Sequence, residues 1–258
     1  MTPDAPSWIH DLYTPELAAL FLARPPELAA REAARVAALL RLPPEGGRVF
    51  DQCCGTGSLA LPLARLGHEV EGVDLIGDYI RAARAGAAAE GLRARFEEGD
   101  ARAHRAATCH GALNWWTSFG HCGDEGDLNM LRRAHESLLP GGRLALDYMN
   151  LPQVLAEFMP AHALRATYEG APLTLLRETR LDLEGGWMLK TWTYITPGAP
   201  PRATESRLRM YTPWEVVSMM RAAGFERVRC YGGLGEEGDE GAPLTHQSRR
   251  LICVGERP

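Results

Sequence analysis

Asp51, the Gly55-Thr56-Gly57 turn and Asp74 are the residues whose types and spacing best suit holding a cofactor. Val49-Phe50-Asp51-Gln52 reads as a short apolar strand ending in an acid. Cys53-Cys54-Gly55-Thr56-Gly57 reads as a tight turn, and Ser58-Leu59-Ala60 opens a helical pattern. Such a unit brings backbone N–H groups and a helix N-terminus up to a ligand. The G-x-G-x-x-A pattern from Gly55 to Ala60 is the dinucleotide fingerprint, but alone it does not choose among nucleotide cofactors. Asp74 ends the next strand, at the spacing of a ribose-binding acid; the plainer reading is a helix N-cap. Asp51 would repel a pyrophosphate and suits a ligand carrying an ammonium and a sulfonium. Glu98-Gly99-Asp100-Ala101 places an acid and a backbone turn after the third strand, where an adenine edge could be read.

The elements that must position these residues alternate from 48 to 150. The pattern predicts strands over 48–52, 69–74, 95–98, 111–114 and 143–149, with helices over 59–66, 78–90 and 127–139. Pro140-Gly141-Gly142 reads as a turn before the fifth strand. Strand–helix repeats of this length imply a mostly parallel sheet covered on both faces. The expected fold is α/β: a Rossmann-like doubly wound sheet of about seven strands with an antiparallel last strand. Residues 1–47 read as a helical lead-in and cap, 48–150 as the core, and 211–258 as the C-terminal part of the core sheet. Between them, residues 151–210 read as a small antiparallel β insertion, a lid. Its hairpin, 174–183 with 187–195, turns at Glu184-Gly185-Gly186, and 202–211 could add a strand. Thr212-Pro213-Trp214-Glu215 begins a capped helix. Residues 232–249, Gly-rich and acidic, read as a mobile loop.

Composition narrows the function. The chain has 258 residues, 45% of them hydrophobic, which suits a globular protein. No apolar run approaches the roughly 18 residues that cross a bilayer, and Met1–Leu17 has no signal-peptide pattern, so the expectation is a cytoplasmic protein with no membrane partner. The net charge of −5 argues against a large phosphate-tracking surface and hence against a nucleic-acid partner. The six cysteines include no CxxC pair, so no metal is expected and the thiols read as reduced and mostly buried.

The ordered blocks VFDQCCGTGSLALPLARLGHEVEGVDL, FEEGDA, LNWWTSFGH, ESLLPGGRLALDYMN and YTPWEVVSMMRAAGFERV resemble class I S-adenosylmethionine-dependent methyltransferases. The LNWWTSFGH block and the β-rich insertion are similar to the small-molecule branch that includes amino-sugar N-methyltransferases. The resemblance implies S-adenosylmethionine as cofactor, with Asp51, Gly55 and Gly57 framing its methionine end; Cys53 and Cys54, in the same turn, are grouped with them. It further implies that Asp74 holds the ribose hydroxyls, Leu75 packs on the adenine, Asp100 accepts from the adenine amino group and the Ala101 N–H donates to the ring. Asn114 would line the site after strand four, with Trp115 next to it grouped among the cofactor-binding residues, and Tyr13 would close the donor pocket from the lead-in. The family usually has Gly or Ala where this chain has Cys53, and a side chain there predicts a turn without positive φ.

On the acceptor side the candidates are Tyr13, Trp115, Trp116, His121, Tyr148 and Tyr211. A tryptophan face could attract a sulfonium, but Trp115 and Trp116 are consecutive and are not expected both to face inward. His121, just past the Ser118-Phe119-Gly120 turn, is the candidate general base; with Tyr13 it makes the candidate catalytic set. Asp147 could be buried structure or could face the acceptor. Arg180 and Lys190, the only lysine, read as solvated. The expected function is methyl transfer by direct displacement to a small-molecule nitrogen or oxygen, with nitrogen preferred through the resemblance. Alternatives are an RNA or protein methyltransferase, an NAD-dependent oxidoreductase and a non-catalytic donor-binding module. Trp187, Trp192 and Tyr194 leave two readings open: a homodimer surface or the underside of the lid.

Overall fold

In the computed structural model, which describes residues 6–235 and 240–258, two sheets carry the chain. Helices α1 (Trp8–Leu12), α2 (Pro15–Phe21) and α3 (Pro26–Leu39) lead into β1 (Arg48–Gln52), α4 (Ala60–Arg65) and β2 (Glu69–Asp74). Then come α5 (Gly77–Glu90), β3 (Ala94–Glu98), β4 (Cys109–Asn114), α6 (Gly123–Ser137) and β5 (Leu138–Met149). After α7 (Leu151–Ala156), four strands form a second sheet in the segment expected as a lid: β6 (Ala161–Tyr168), β7 (Ala171–Asp182), β8 (Trp187–Ile195) and β9 (Arg202–Arg209). The chain closes with α8 (Pro213–Ala222), β10 (Glu226–Gly233), β11 (Ala242–Pro243) and β12 (Arg250–Glu256).

The large sheet has the order β11-β10-β12-β5-β4-β1-β2-β3. Strands β1 to β5 pair in parallel, and β12 inserts antiparallel between β5 and β10. This is the expected α/β architecture with its antiparallel last strand; the two-residue β11 brings the count to eight. The strand order reverses between β1 and β4. Open α/β sheets bind ligands at such a switch point, outside the carboxyl ends of the strands. Phe50, Ala112, Leu113, Leu144 and Leu146 in the central strands are fully buried, as apolar strands covered on both faces must be.

Local chemistry fixes the ends of several elements. Gly91 ends α5 at φ 61°, a left-handed cap that glycine adopts without steric cost. Thr212 and Glu215 complete a reciprocal capping box at α8. Two expectations need correcting. Residues 140–142 do not break β5 off as a separate turn: the strand runs from Leu138, passing Gly141 at φ 78° with an irregular register against β4. α6 starts at Gly123, four residues early, with Asp124 and Glu125 in its first turn, where acids suit the positive end of the helix dipole.

The lid sheet has the order β6-β7-β8-β9, all antiparallel. Its inner face carries Leu173, Leu175, Trp192 and Tyr194, which pack with Leu12 and Leu17 of the lead-in. Trp192 and Tyr194 are therefore the underside of the lid. Of the segment expected as a mobile loop, residues 236–239 lie outside the described residues, as do residues 1–5 of the lead-in.

Candidate active site

A cavity opens at the switch point, walled by the turns after β1, β2, β3 and β4 and closed by the lead-in. Of the expected donor residues, Tyr13, Cys53, Cys54, Gly55, Asp74, Leu75, Asp100, Ala101 and Trp115 line it, as does His121. Asp51, Gly57 and Asn114 do not reach its surface. For Asn114 this corrects the expectation. It is 1% exposed beside Gln52 and Leu146, and neither atom of its amide has a partner.

The first turn is built around two acids. The Gly55 N–H donates to Asp74 Oδ2 at 2.8 Å and the Ile76 N–H to Oδ1 at 2.9 Å. Asp74 thus ties the loops after β1 and β2 together and keeps lone pairs for the cavity. It does not cap α5, whose N-cap is Ile76. Asp51 is 3% exposed and, among the described residues, no protein group donates to it. Burial, and then the charge of Asp74, pushes the Asp51 carboxyl well above the usual carboxylate range. Burial also raises Asp74, against the lowering effect of its backbone donors. Two buried acids with no ion-pair partner among the described residues suit a ligand that brings positive charge.

Cys53 departs from expectation. It sits at φ 57°, between strand geometry at Gln52 and the left-handed Gly55 at φ 55°. The turn does need a positive φ at this position, and a residue with a Cβ pays for it. The Cys54 N–H to Val73 carbonyl bond (3.0 Å) holds the turn onto β2. Gly72 leaves room for the Cys54 side chain, since a Cβ there would meet Cys54 Sγ at 2.8 Å. A left-handed L-residue costs roughly 1–2 kcal/mol, and glycine's extra chain entropy takes back about 0.5–1 kcal/mol. Cys53→Gly is therefore expected to raise unfolding stability by up to about 1.5 kcal/mol, read as a higher urea midpoint with unchanged m. Cys53→Val is expected to lower it.

On the adenine side, Arg102 forks onto Asp100: Nε lies 2.9 Å from Oδ2 and Nη2 2.6 Å from the same oxygen. Arg102 is 4% exposed and fixes the carboxylate in the wall. The neighbouring Ala101 N–H meets no protein acceptor among the described residues, leaving a donor free at the cavity surface. An orphan N–H beside a fixed carboxylate matches the edge of an aminopurine.

After β4 the chain takes two consecutive left-handed residues, Trp116 (φ 57°) and Thr117 (φ 63°). This breaks strand alternation, so both Trp115 and Trp116 line the cavity, contrary to the expectation that they could not both turn inward. Both indole N–H groups donate to Glu32 Oε1, at 2.9 and 3.1 Å. The Trp116 backbone N–H donates to Asp147 Oδ2 (3.0 Å), and Arg250 forks onto the same carboxylate. Asp147, open in the sequence, is thus buried structure that clamps the strained loop.

Tyr13 and His121, 108 residues apart, meet at the cavity edge with Oη 3.0 Å from Nε2. The other ring nitrogen, Nδ1, lies 3.2 Å from the Ser118 carbonyl. A carbonyl only accepts, so Nδ1 carries the hydrogen and Nε2 takes the Tyr13 hydroxyl proton as acceptor. Burial, with the charge of Lys190 adding to it, pushes the His121 imidazole down to about 4. Burial likewise raises the Tyr13 hydroxyl above its ordinary value.

Lys190 is not the solvated residue expected. It alternates with buried Met188 and Trp192 on the inner lid face, and burial, then Arg177, pushes its ammonium down to about 8. Lys190 Nζ and the Arg177 guanidinium both lie over Trp192, at 5.9 and 5.6 Å from the ring centre. Among the described residues neither cation has an ion-pair partner. Arg180 is exposed, as expected.

The sequence reading missed Asp127. It accepts from the Gly120 N–H (3.1 Å) and the Cys122 N–H (3.4 Å), on either side of His121. Tyr211 Oη lies 2.9 Å from both Asp124 Oδ1 and Asp127 Oδ2, but has a single hydrogen to give. That hydrogen is shared between the two acids, and burial pushes Asp127 up to about 7 against the lowering effect of the Tyr211 hydroxyl and of its backbone donors. Its position four residues into an amphipathic helix gave no sign of this role. Tyr148 and Tyr211 are fully buried under the lid and do not line the cavity.

Residues 49–142 match the family model described as a methyltransferase domain, and this match together with the fold supports S-adenosylmethionine-dependent methyltransferase activity. Over most of its length the chain is similar to the dTDP-3-amino-3,6-dideoxy-alpha-D-glucopyranose N,N-dimethyltransferase of Streptomyces fradiae: 27% identical, covering 79% of this chain and 80% of that protein. The solved structure of the CcbJ methyltransferase from Streptomyces caelestis superposes with a TM-score of 0.77 at 23% identity, covering 95% of this chain and 98% of that one. A shorter likeness, 48% identical over 59 residues, is to a Shewanella 23S rRNA uracil C5-methyltransferase; it takes in 22% of this chain and spans only 13% of that protein. No helix among the described residues is long and apolar enough to cross a membrane.

Proposed function

We propose that this chain methylates an amine nitrogen of a small molecule held between the switch-point cavity and the inner face of the lid. The observation that carries this reading is the Tyr13–His121–Ser118 chain of hydrogen bonds at the cavity edge. Bound S-adenosylmethionine supplies an electrophilic methyl on a sulfonium, with the acceptor lone pair in line at about 3 Å. Asp74 would hold its hydroxylated part and Asp100 with the Ala101 N–H its base, while the Asp51 charge would act on its positive part from behind the cavity lining.

The Tyr13 hydroxyl donates its hydrogen bond to His121 Nε2, so the Tyr13 oxygen presents lone pairs to the cavity. An acceptor N–H can donate to them, which aims the nitrogen lone pair away from Tyr13 and toward the donor. His121, at about 4, stays neutral at physiological pH and is a poor sink for a hydroxyl proton. The raised Tyr13 is no better. A neutral amine needs no such sink. Unpaired Lys190 and Arg177 together with burial disfavour an ammonium, so they keep an acceptor amine in its nucleophilic form. The amino-sugar dimethyltransferase similarity over most of the chain supports the same acceptor class. The likeness to the RNA enzyme is confined to 59 residues, 13% of that protein.

Tyr13→Phe tests the reading. With an amine acceptor, kcat/KM is expected to fall about tenfold to a hundredfold, the cost of lost alignment, while the Kd for S-adenosylmethionine changes little. The wild-type pH–rate profile is expected to show no limb near 6.5, because His121 titrates at about 4. An unchanged rate in Tyr13→Phe, or a strong limb near 6.5, contradicts it.

A further inference from the structure

Two thiols outside the methyl-transfer machinery face each other in the large sheet. Cys230 in β10 and Cys253 in β12 are direct partners in the antiparallel register, with their Sγ atoms 3.2 Å apart. Opposed antiparallel residues keep their Cα atoms roughly 4.5–5.5 Å apart, within the roughly 4.4–6.8 Å span that a disulfide bridges. Cross-linking therefore needs side-chain rotation and little backbone movement. Access is graded as exchange chemistry requires: Cys230 is half-buried and Cys253 fully buried. Neither lines the cofactor cavity.

The remaining cysteines do not share this setting. Burial pushes the Cys53, Cys54, Cys109 and Cys122 thiols up, away from the reactive thiolate. Cys230 alone is held below its ordinary value, by the Cys253 thiol first and by the Arg221 cation against the effect of burial.

We propose that Cys230 and Cys253 form a dithiol–disulfide couple that exchanges with small-molecule disulfides and staples β10 to β12. The Cys230 thiolate attacks one sulfur of a disulfide such as glutathione disulfide. One glutathione leaves as a thiolate, takes up the proton that Cys230 lost, and a mixed disulfide stands at Cys230. Cys253 sulfur then attacks the Cys230 sulfur, its proton passing to the second departing glutathione. The two cysteines lose two electrons and two protons, and the reagent's S–S bond is reduced to two thiols. The bond closes a loop of 23 residues' separation, which stabilises the fold chiefly by restricting the unfolded chain.

The test treats the reduced full chain with excess glutathione disulfide, blocks free thiols and maps peptides without reduction. The expected product is lighter by two hydrogens, joins the Cys230 and Cys253 peptides, melts several degrees higher and reverts with dithiothreitol. Cys253→Ser is expected to trap glutathione on Cys230. Should that buried substitution unfold the chain, Cys230→Ser, at a half-buried site, is expected to fold and to lose both the cross-link and the shift in melting. A wild-type chain that keeps a lasting glutathione adduct on Cys230, or in which both cysteines are recovered separately blocked, overturns the proposal.

Discussion

Asp51→Asn is expected to lose most of its affinity for S-adenosylmethionine while becoming harder to unfold. The two effects share one cause. Asp51 is buried beside Asp74 with no cation to meet it, and both carboxyls are pushed up by burial. Removing one partner of a desolvated charge pair costs about 2–5 kcal/mol, so the Kd is expected to rise at least about thirtyfold. In the free protein the same charge opposes folding. A carboxyl raised in the folded state contributes stability below its unfolded pKa and loses it as pH rises through the folded value. The advantage of Asp51→Asn over wild type should therefore grow with pH and vanish in acid. Calorimetric titration and urea unfolding at two pH values measure both halves. Unchanged donor affinity would remove Asp51 from the site.

The second large effect is structural. Arg250→Met strands the Asp147 carboxylate, which is 2% exposed and otherwise accepts only the Trp116 N–H in this region. Breaking a buried ion pair in this way costs about 3–5 kcal/mol. The full cost is an upper figure here, because the Arg250 side chain is 36% exposed and water screens part of the pair. Without the arginine, Asp147 rises further, so the loss is greatest at high pH and shrinks in acid. Asp147→Asn added to Arg250→Met removes the stranded charge and is expected to recover part of the stability. Recovery is measured by thermal unfolding. No destabilisation in the single variant would mean that Asp147 does not carry the loop after β4.

How much of this was legible in the sequence depends on distance along the chain. The β1–turn–α4–β2 unit is local: its strand period, glycines and two acids stand within twenty-six residues of each other, and the structure builds the expected turn from them. The mostly parallel sheet followed from the alternation of elements, and the antiparallel last strand from the family resemblance; the strand order came only with the structure. The hairpin of β7 and β8 showed in its two-residue period, whereas β6, an edge strand with few buried residues, showed no such signal. Where the backbone departs from ordinary φ, the sequence misled. Cys53 carries a Cβ in a left-handed position, and Trp116 with Thr117 turns two adjacent indoles to one wall. Tertiary ties hold these conformations, through Val73, Asp74, Glu32 and Asp147, and no local window contains them.

Pairings across the lid were the least visible. Tyr13 and His121 were each candidates, but their hydrogen bond and the tautomer it implies come only from the fold. Lys190 sits in an alternating strand whose inner face could not be assigned without the lead-in that packs on it. Asp127 looked like one more acid near the start of a helix. Its two backbone donors and the shared Tyr211 hydroxyl make it the residue that holds the His121 loop.

The account's central claim is an amine acceptor of small size. The most direct measurement incubates the chain with methyl-labelled S-adenosylmethionine and, in parallel, amino sugars, their hydroxyl counterparts and ribosomal RNA, then follows the label by mass spectrometry. The account predicts label on the nitrogen of one or more amino compounds, with one S-adenosylhomocysteine formed per methyl and none transferred to the matched alcohols or to RNA. Label on RNA, or on an alcohol with the amines untouched, would contradict it.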